Sequence, residues 1–107
     1  DVGLLFQLGL LKYNSKDYRG AIEALERAVI INPVYSNAKY FLGLSYYQTD
    51  RNNDAIAQFE DIEKLNPDND EVKKILSNLK AERSPFANIP PPDNKPESRK
   101  TLPVEGE

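Results

Sequence analysis

Apolar side chains recur at intervals of three or four residues along much of the chain. Val2, Leu5, Leu8 and Leu11 form the first such stripe. A spacing of three or four residues is typical of an α-helix. Short polar stretches, such as the one from Asn14 to Asp17, separate the stripes. The pattern predicts five helices, at about residues 2–14, 18–31, 36–49, 53–65 and 70–83.

The whole pattern repeats after 34 residues. Gly9 aligns with Gly43, and Ala21 aligns with Ala55. Further matches at this offset are Leu8 with Leu42, Ile22 with Ile56, Glu26 with Glu60 and Asn32-Pro33 with Asn66-Pro67. A fixed period between about 20 and 50 residues indicates a solenoid, in which each unit packs against its neighbours. The repeat therefore predicts stacked helix pairs with an extended surface for a partner.

Proline and capping residues mark where the helices begin and end. Pro33 and Pro67 each follow an asparagine, and the residue before a proline is disfavoured in the helical region. Asp17 is the predicted N-cap of the second helix. A third unit begins at Asp70, but its second helix cannot form, because prolines occupy the equivalent stretch from Pro85 onward. The fifth helix is therefore predicted to cap the array.

Two sets of residues, one in each repeat, carry a family resemblance. The first set is Leu8-Gly9, Tyr18, Ala21, Ala28 and Pro33, and the second is Leu42-Gly43, Tyr46, Ala55, Phe59 and Pro67. On these residues, the chain resembles the tetratricopeptide repeat family. Glycine and alanine remove side-chain bulk where paired helices cross, and larger apolar residues fill the gaps between pairs. The sequence departs from the family pattern at Ile62, where alanine is preferred, and at Asn52, where the first copy has Tyr18.

The resemblance implies an all-α fold, a tetratricopeptide-type α-α solenoid of five antiparallel helices. Two helix pairs and a C-terminal capping helix would form a repeat domain over residues 1–83. Residues 84–107 contain six of the eight prolines and would form a proline-rich extended tail or linker. The first helix is apolar on nearly every side, which indicates burial on both sides. We expect a preceding repeat to cover it, so that residue 1 would lie inside a longer protein.

Composition argues against catalysis and against nucleic-acid binding. The chain has no histidine and no cysteine, and it contains no glycine-rich phosphate loop and no zinc-ligand spacing. Its net charge of −3 gives no basic surface for nucleic acid. The longest apolar run, from Gly3 to Leu11, is broken by Gln7 and is far shorter than the ~20 residues that span a bilayer. We therefore predict a non-catalytic protein without cofactor, metal site or membrane contact.

In the family that the chain resembles, the first helix of each pair lines a concave groove. By resemblance, the groove residues are Phe6, Leu10, Tyr13, Asn37, Tyr40, Phe41, Leu44, Tyr47, Gln48, Lys74 and Asn78. Phe41 and Leu44 could equally belong to the core. Tyr40 and Tyr47 each carry a hydroxyl that needs water or a partner, and they are the preferred contact residues.

The groove composition also implies the kind of ligand. One subfamily grips a C-terminal carboxylate through basic and amide side chains, and those positions here hold Phe6, Leu10, Phe41, Glu71 and Ile75. Apolar side chains and one acid cannot hold a carboxylate. The predicted function is therefore a protein-protein interaction module that binds an extended, apolar or proline-bearing peptide.

A second function remains open, namely assembly through apolar surface. Leu4 and Leu11 would lie uncovered on the first helix, and Phe86 and Ile89 add apolar side chains in the tail. These four residues would support self-association, with another copy of the chain as the partner in a homodimer. The segment from Phe86 to Pro92 could instead dock into a groove of its own chain or of a neighbour. The remaining alternative is that the tail is a free linker.

Overall fold

The computed structural model describes residues 1–89 of the 107-residue chain. Within that stretch the chain forms five α-helices and no β-strand. The helices are α1 (Val2–Asn14), α2 (Tyr18–Ile31), α3 (Ser36–Gln48), α4 (Asn52–Leu65) and α5 (Asp70–Lys80). Each helix packs against the next one in the chain, most extensively within the pairs α1–α2 and α3–α4. The predicted all-α fold of two helix pairs and a fifth helix is confirmed.

Side-chain caps fix the beginnings of α2 and α5. Asp17, the predicted N-cap of α2, accepts a hydrogen bond from the Gly20 backbone N–H at 3.0 Å. Asn69 caps α5 in the same way, by accepting from the Val72 backbone N–H at 3.1 Å. Each bond satisfies a backbone donor that the first helical turn would otherwise leave unpaired.

The first helix of each unit ends in the same left-handed turn. Lys16, Asp50 and Glu82 have φ angles of 67°, 63° and 59°. In each turn, the N–H of the following residue donates at 2.8 Å to the carbonyl five positions earlier. Asp50 follows Lys16 by 34 residues, whereas Glu82 follows Asp50 by only 32. The third turn therefore comes two residues early, and α5 ends at Lys80 rather than at the predicted residue 83.

Glycine lets the two helices of each pair approach closely. A Cβ atom on Gly9 would lie 2.5 Å from Leu25 Cδ2, and one on Gly43 would lie 2.6 Å from Phe59 Cε2. Leu25 and Phe59 are themselves fully buried, so neither side chain can move into solvent. The repeated glycine is therefore a packing requirement at both helix crossings.

Two polar side chains connect neighbouring helices, and one of them, Asn52, is a departure from the family pattern. Asn52 Nδ2 donates to the Leu79 carbonyl at 3.1 Å, which joins α4 to the end of α5. The Tyr46 hydroxyl of α3 donates to the Glu26 carboxylate of α2. Burial, followed by this hydrogen bond, raises the pKa of Tyr46, so the hydroxyl stays protonated at neutral pH. Ile62, the other departure, is fully buried in the core.

One lysine is buried between α3 and α4. The Lys39 side chain is 8% exposed, and its Nζ lies 3.1 Å from Asp61 Oδ2. The Asp61 side chain is 45% exposed, so the ion pair has one end in the protein and the other at the surface. A buried charge of this kind is tolerated only when it is paired.

Candidate functional site

The predicted groove residues lie on α1, α3 and α5, and contacts between these helices join them into one surface, which we call the inner face. Phe41 of α3 lies between Phe6 and Tyr13 of α1, at ring-centroid distances of 6.2 and 5.3 Å. The Tyr40 hydroxyl of α3 donates to the Glu71 carboxylate of α5 at 3.2 Å. The inner face is thus continuous from the first helix to the last.

The inner-face residues differ in how far solvent reaches them. The half-buried members are Phe6, Leu10, Tyr13, Phe41 and Tyr47. The buried members are Asn37, Tyr40, Leu44 and Asn78. The exposed members are Gln48 and Lys74. A ligand would therefore meet mainly aromatic and apolar side chains on this face.

The two preferred tyrosines lie in different environments. Tyr40 is 4% exposed, and its ring packs against the Phe59 ring at a centroid distance of 5.6 Å. Tyr40 therefore belongs to the packed interior and is not the open contact residue that we expected. Tyr47 is half-buried and lines a shallow cavity of about 190 Å³ together with Asp50, Asn52, Glu82 and Arg83.

Asn37, in the first turn of α3, has an unsatisfied acceptor. The residue is 6% exposed, and its Oδ1 has no hydrogen-bond partner among residues 1–89. A buried polar atom without a partner costs about 1–3 kcal/mol. Gln58 Oε1 on α4 is in the same condition, but α4 is the second helix of its pair. Of the two, only Asn37 is at a predicted groove position.

Burial affects the protonation of one ionisable group on the inner face. Burial, with a contribution from neighbouring Tyr18, raises the pKa of Tyr13, so its hydroxyl remains a hydrogen-bond donor at neutral pH.

In the described stretch, no group of three or more potential metal ligands comes together. No helix among those residues is both long enough and apolar enough to cross a membrane.

Beyond α5 the chain turns back onto the helices as residues 84–89, which we call the C-terminal segment. Pro85 is buried, and Ile89 is half-buried against the core. The Asn78 side chain of α5 donates hydrogen bonds to two carbonyls of this segment. Residues 90–107 of the predicted tail, including Pro90 to Pro92 of the docking hypothesis, lie outside the described residues.

The predicted self-association residues do not form one surface. Leu4 and Leu11 of α1 are 65% and 67% exposed, and Leu8, which lies between them on the same side of the helix, is 44% exposed. We call these three leucines the N-terminal face. Phe86 is 44% exposed, but it lies beyond α5, a helix that α1 does not contact. Ile89 packs against the core, so it adds little to an outer surface.

A family model gives independent information about this arrangement of helices. The model of the tetratricopeptide repeat matches residues 13–79, more than half of the chain. The chain belongs to the tetratricopeptide repeat family. The family prediction from the sequence is thus confirmed. No curated protein matches the chain. Membership of the tetratricopeptide repeat family implies a module for protein-protein interaction of a type that is typically non-catalytic.

Sequence reasoning missed one feature of this tetratricopeptide repeat chain, the hydrogen bonds that Asn78 makes to the C-terminal segment. Their acceptors are backbone carbonyls, which any sequence supplies, so no residue type points to them. A weak signal was present nonetheless. At the 34-residue offset Asn78 aligns with Leu44 and Leu10, so an amide replaces leucine at a repeated position.

Proposed function

We propose that the inner face binds an extended peptide of a protein partner, apolar or proline-bearing, without catalysis. The observation that carries the proposal is the row of half-buried side chains Phe6, Leu10, Tyr13 and Tyr47 along α1 and α3. Aromatic rings in such a row bind proline and aliphatic side chains through burial and stacking. The tyrosines add hydroxyl groups that can bond the peptide main chain.

Polar groups on the inner face favour an internal segment over a free C-terminus. The Asn37 Oδ1 is an unsatisfied acceptor, which suits a peptide N–H and repels a carboxylate. Glu71 adds a negative charge beside Tyr40. Lys74 is the exposed cation among the predicted groove residues, and a single cation does not make a carboxylate clamp. We therefore expect the ligand to be held along its main chain.

We expect Tyr47→Ala to weaken peptide binding by about tenfold or more, which corresponds to about 1.4 kcal/mol. Tyrosine is enriched among binding hot spots, and Tyr47 is partly open to a ligand. The measurement begins with the selection of peptides that bind the full chain from a random phage-display library. Fluorescence anisotropy then gives the affinities of selected peptides for the wild type and the variant.

Leu11→Lys is the control for the Tyr47 measurement, because Leu11 is 67% exposed and belongs to the N-terminal face. It should leave the affinity of the selected peptides unchanged. The proposal is wrong if Tyr47→Ala binds them as tightly as the wild type while remaining folded by amide NMR. It is equally wrong if Leu11→Lys removes the binding.

We expect Asn37→Leu to raise stability and to weaken peptide binding. The substitution removes a buried acceptor without a partner, so the free energy of unfolding should rise by up to about 1–3 kcal/mol. It also removes the atom proposed to accept a peptide N–H. Urea unfolding measures the first effect, and anisotropy with the selected peptides measures the second.

Gln58→Leu is the matched control for Asn37→Leu, because Gln58 Oε1 is also buried without a partner in the described stretch. This variant should gain stability without any loss of peptide affinity. If both variants gain stability and neither loses affinity, Asn37 has no part in binding and the unsatisfied acceptor does not support the proposed groove.

The exposure of the N-terminal face favours a second candidate function, self-association. Leu4 and Leu11 are the most exposed residues of this face, and contiguous apolar surface of this kind marks interaction sites. If this function holds, the wild type sediments as a dimer and a Leu4→Lys/Leu11→Lys variant sediments as a monomer. Identical monomeric sedimentation of both chains rejects self-association and leaves the peptide groove as the function.

A further inference from the structure

The amide of Asn78 holds two main-chain carbonyls of the C-terminal segment. Its Nδ2 lies 2.9 Å from the Pro85 oxygen and 2.7 Å from the Ala87 oxygen. The side-chain NH₂ of asparagine carries two hydrogens, so each carbonyl receives its own hydrogen bond. The two acceptors are two residues apart, so another peptide with the same backbone conformation could present two carbonyls to Asn78 in the same way.

The Asn78 amide is fixed in orientation by a neighbour. Arg83 Nε donates to Asn78 Oδ1 at 3.1 Å, so the oxygen faces Arg83 and the nitrogen faces the segment. Asn78 itself is 4% exposed, which removes competition from water. A buried, oriented donor pair is the arrangement expected of a preformed site for a peptide main chain.

Side chains of the C-terminal segment alternate between the protein and solvent. Pro85 is buried, and Ile89 is half-buried against the core. Phe86 and Asn88 are exposed. Ala87, between them, is half-buried but small. Since the hydrogen bonds of Asn78 go to backbone atoms, selectivity rests mainly on the inward side chains of Pro85 and Ile89. The preferred sequence would have proline at one position and a branched aliphatic residue four positions later.

We infer that Asn78 marks a binding site for a proline-led segment of another protein, and that the C-terminal segment occupies this site within the same chain. The inference rests on the proposed function, because it names the ligand class for the α5 end of the inner face. Asn78 and Pro85 are seven residues apart, so the effective concentration of the resident segment is on the order of millimolar or higher. An outside peptide must compete with it.

The inference is tested with the full chain and a probe of known sequence. The probe is a fluorescein-labelled, amide-capped peptide with the sequence of residues 84–92. In the opened variant, Pro85→Asp/Ile89→Asp, two buried or half-buried apolar residues become charged, which should release the segment. The matched control, Phe86→Asp/Asn88→Asp, changes the net charge by the same amount at the two exposed positions.

The opened variant should bind the probe at least tenfold more tightly than the wild type and the matched control do. Adding Asn78→Leu to the opened variant should abolish this gain. Amide NMR establishes that each variant is folded and whether the Asn78 signals move on addition of the probe. Equal probe affinity of the folded opened variant and the wild type would overturn the inference.

A second variant guards against the case in which the opened variant does not fold. A flexible Gly-Ser insertion of about 12 residues between Ser84 and Pro85 keeps every native side chain and lowers the effective concentration of the segment. It should also raise the affinity for the probe. If the insertion has no effect, the segment acts only as a structural cap on α5, and the inference is wrong.

The proposed function is judged separately, by the selected peptides and by Tyr47→Ala. If selected peptides need Tyr47 but the probe binds the wild type and the opened variant equally, the inference is wrong and the proposed groove stands. Conversely, if the probe binds the opened variant more tightly than the wild type although no selected peptide needs Tyr47, the Asn78 site stands and the proposed groove over α1 and α3 is wrong.

Discussion

Gly43→Leu is expected to lower the free energy of unfolding by about 1–3 kcal/mol or more, the usual cost of overpacking a core. Even a Cβ atom at this position would lie 2.6 Å from Phe59 Cε2 and 3.0 Å from Phe59 Cδ2. Phe59 is fully buried, so its ring cannot turn aside into solvent. The α3–α4 crossing would have to widen. Urea unfolding followed by circular dichroism measures the change.

Gly3→Ala is the control for the Gly43 prediction. The added Cβ would meet only Asp1 Oδ1, at 3.3 Å, and alanine is favoured over glycine in a helix by about 0.8–1.0 kcal/mol. Stability should therefore be unchanged or slightly raised. If Gly43→Leu unfolds at the same urea concentration as the wild type, the close helix crossing described above is incorrect.

Asp61→Ala is expected to lower the free energy of unfolding by about 1–3 kcal/mol, less than the 3–5 kcal/mol typical of breaking a fully buried ion pair. Asp61 is the partner of Lys39, whose side chain is 8% exposed. Without the carboxylate, the buried ammonium would have lost its ion-pair partner. The lower figure allows for the 45% exposure of the Asp61 side chain, through which water screens the pair.

Lys39→Met provides the matched test of the ion pair, because it removes the buried charge and keeps most of the apolar stem. Replacing a buried charge by an apolar residue of similar shape is often neutral or stabilising. We therefore expect Lys39→Met to unfold at the same or a higher urea concentration than the wild type. The explanation fails if Lys39→Met is as destabilised as Asp61→Ala.

The helices and the crossings of this chain were predictable because they depend on local pattern. A spacing of three or four residues sets each helix, and the 34-residue offset aligns Gly9 with Gly43. The N-cap at Asp17 was predictable for the same reason, since capping involves only neighbouring residues. The end of α5 was not, because Glu82 begins its turn two residues ahead of the repeat.

The inner face was harder to predict, because exposure depends on what packs there. Tyr40 and Tyr47 look alike in the sequence, yet the hydroxyl of Tyr40 reaches Glu71 on another helix, and Tyr40 is buried. The ion pair between Lys39 and Asp61 could not be predicted, since the two residues are 22 positions apart in the sequence. Contacts between helices of this kind follow from the packing rather than from any local motif.

The left-handed turn at Glu82 has a consequence for the growth of the array. It uses the same backbone geometry that introduces the second helix after Lys16 and after Asp50. At Glu82, however, the turn comes two residues early, so the point where the chain leaves α5 is rotated by about 200° around the helix axis relative to α1 and α3. A design that replaced residues 84–89 with a copy of α4 would therefore first have to lengthen α5 by two residues, after which the array could be extended one unit at a time from this end.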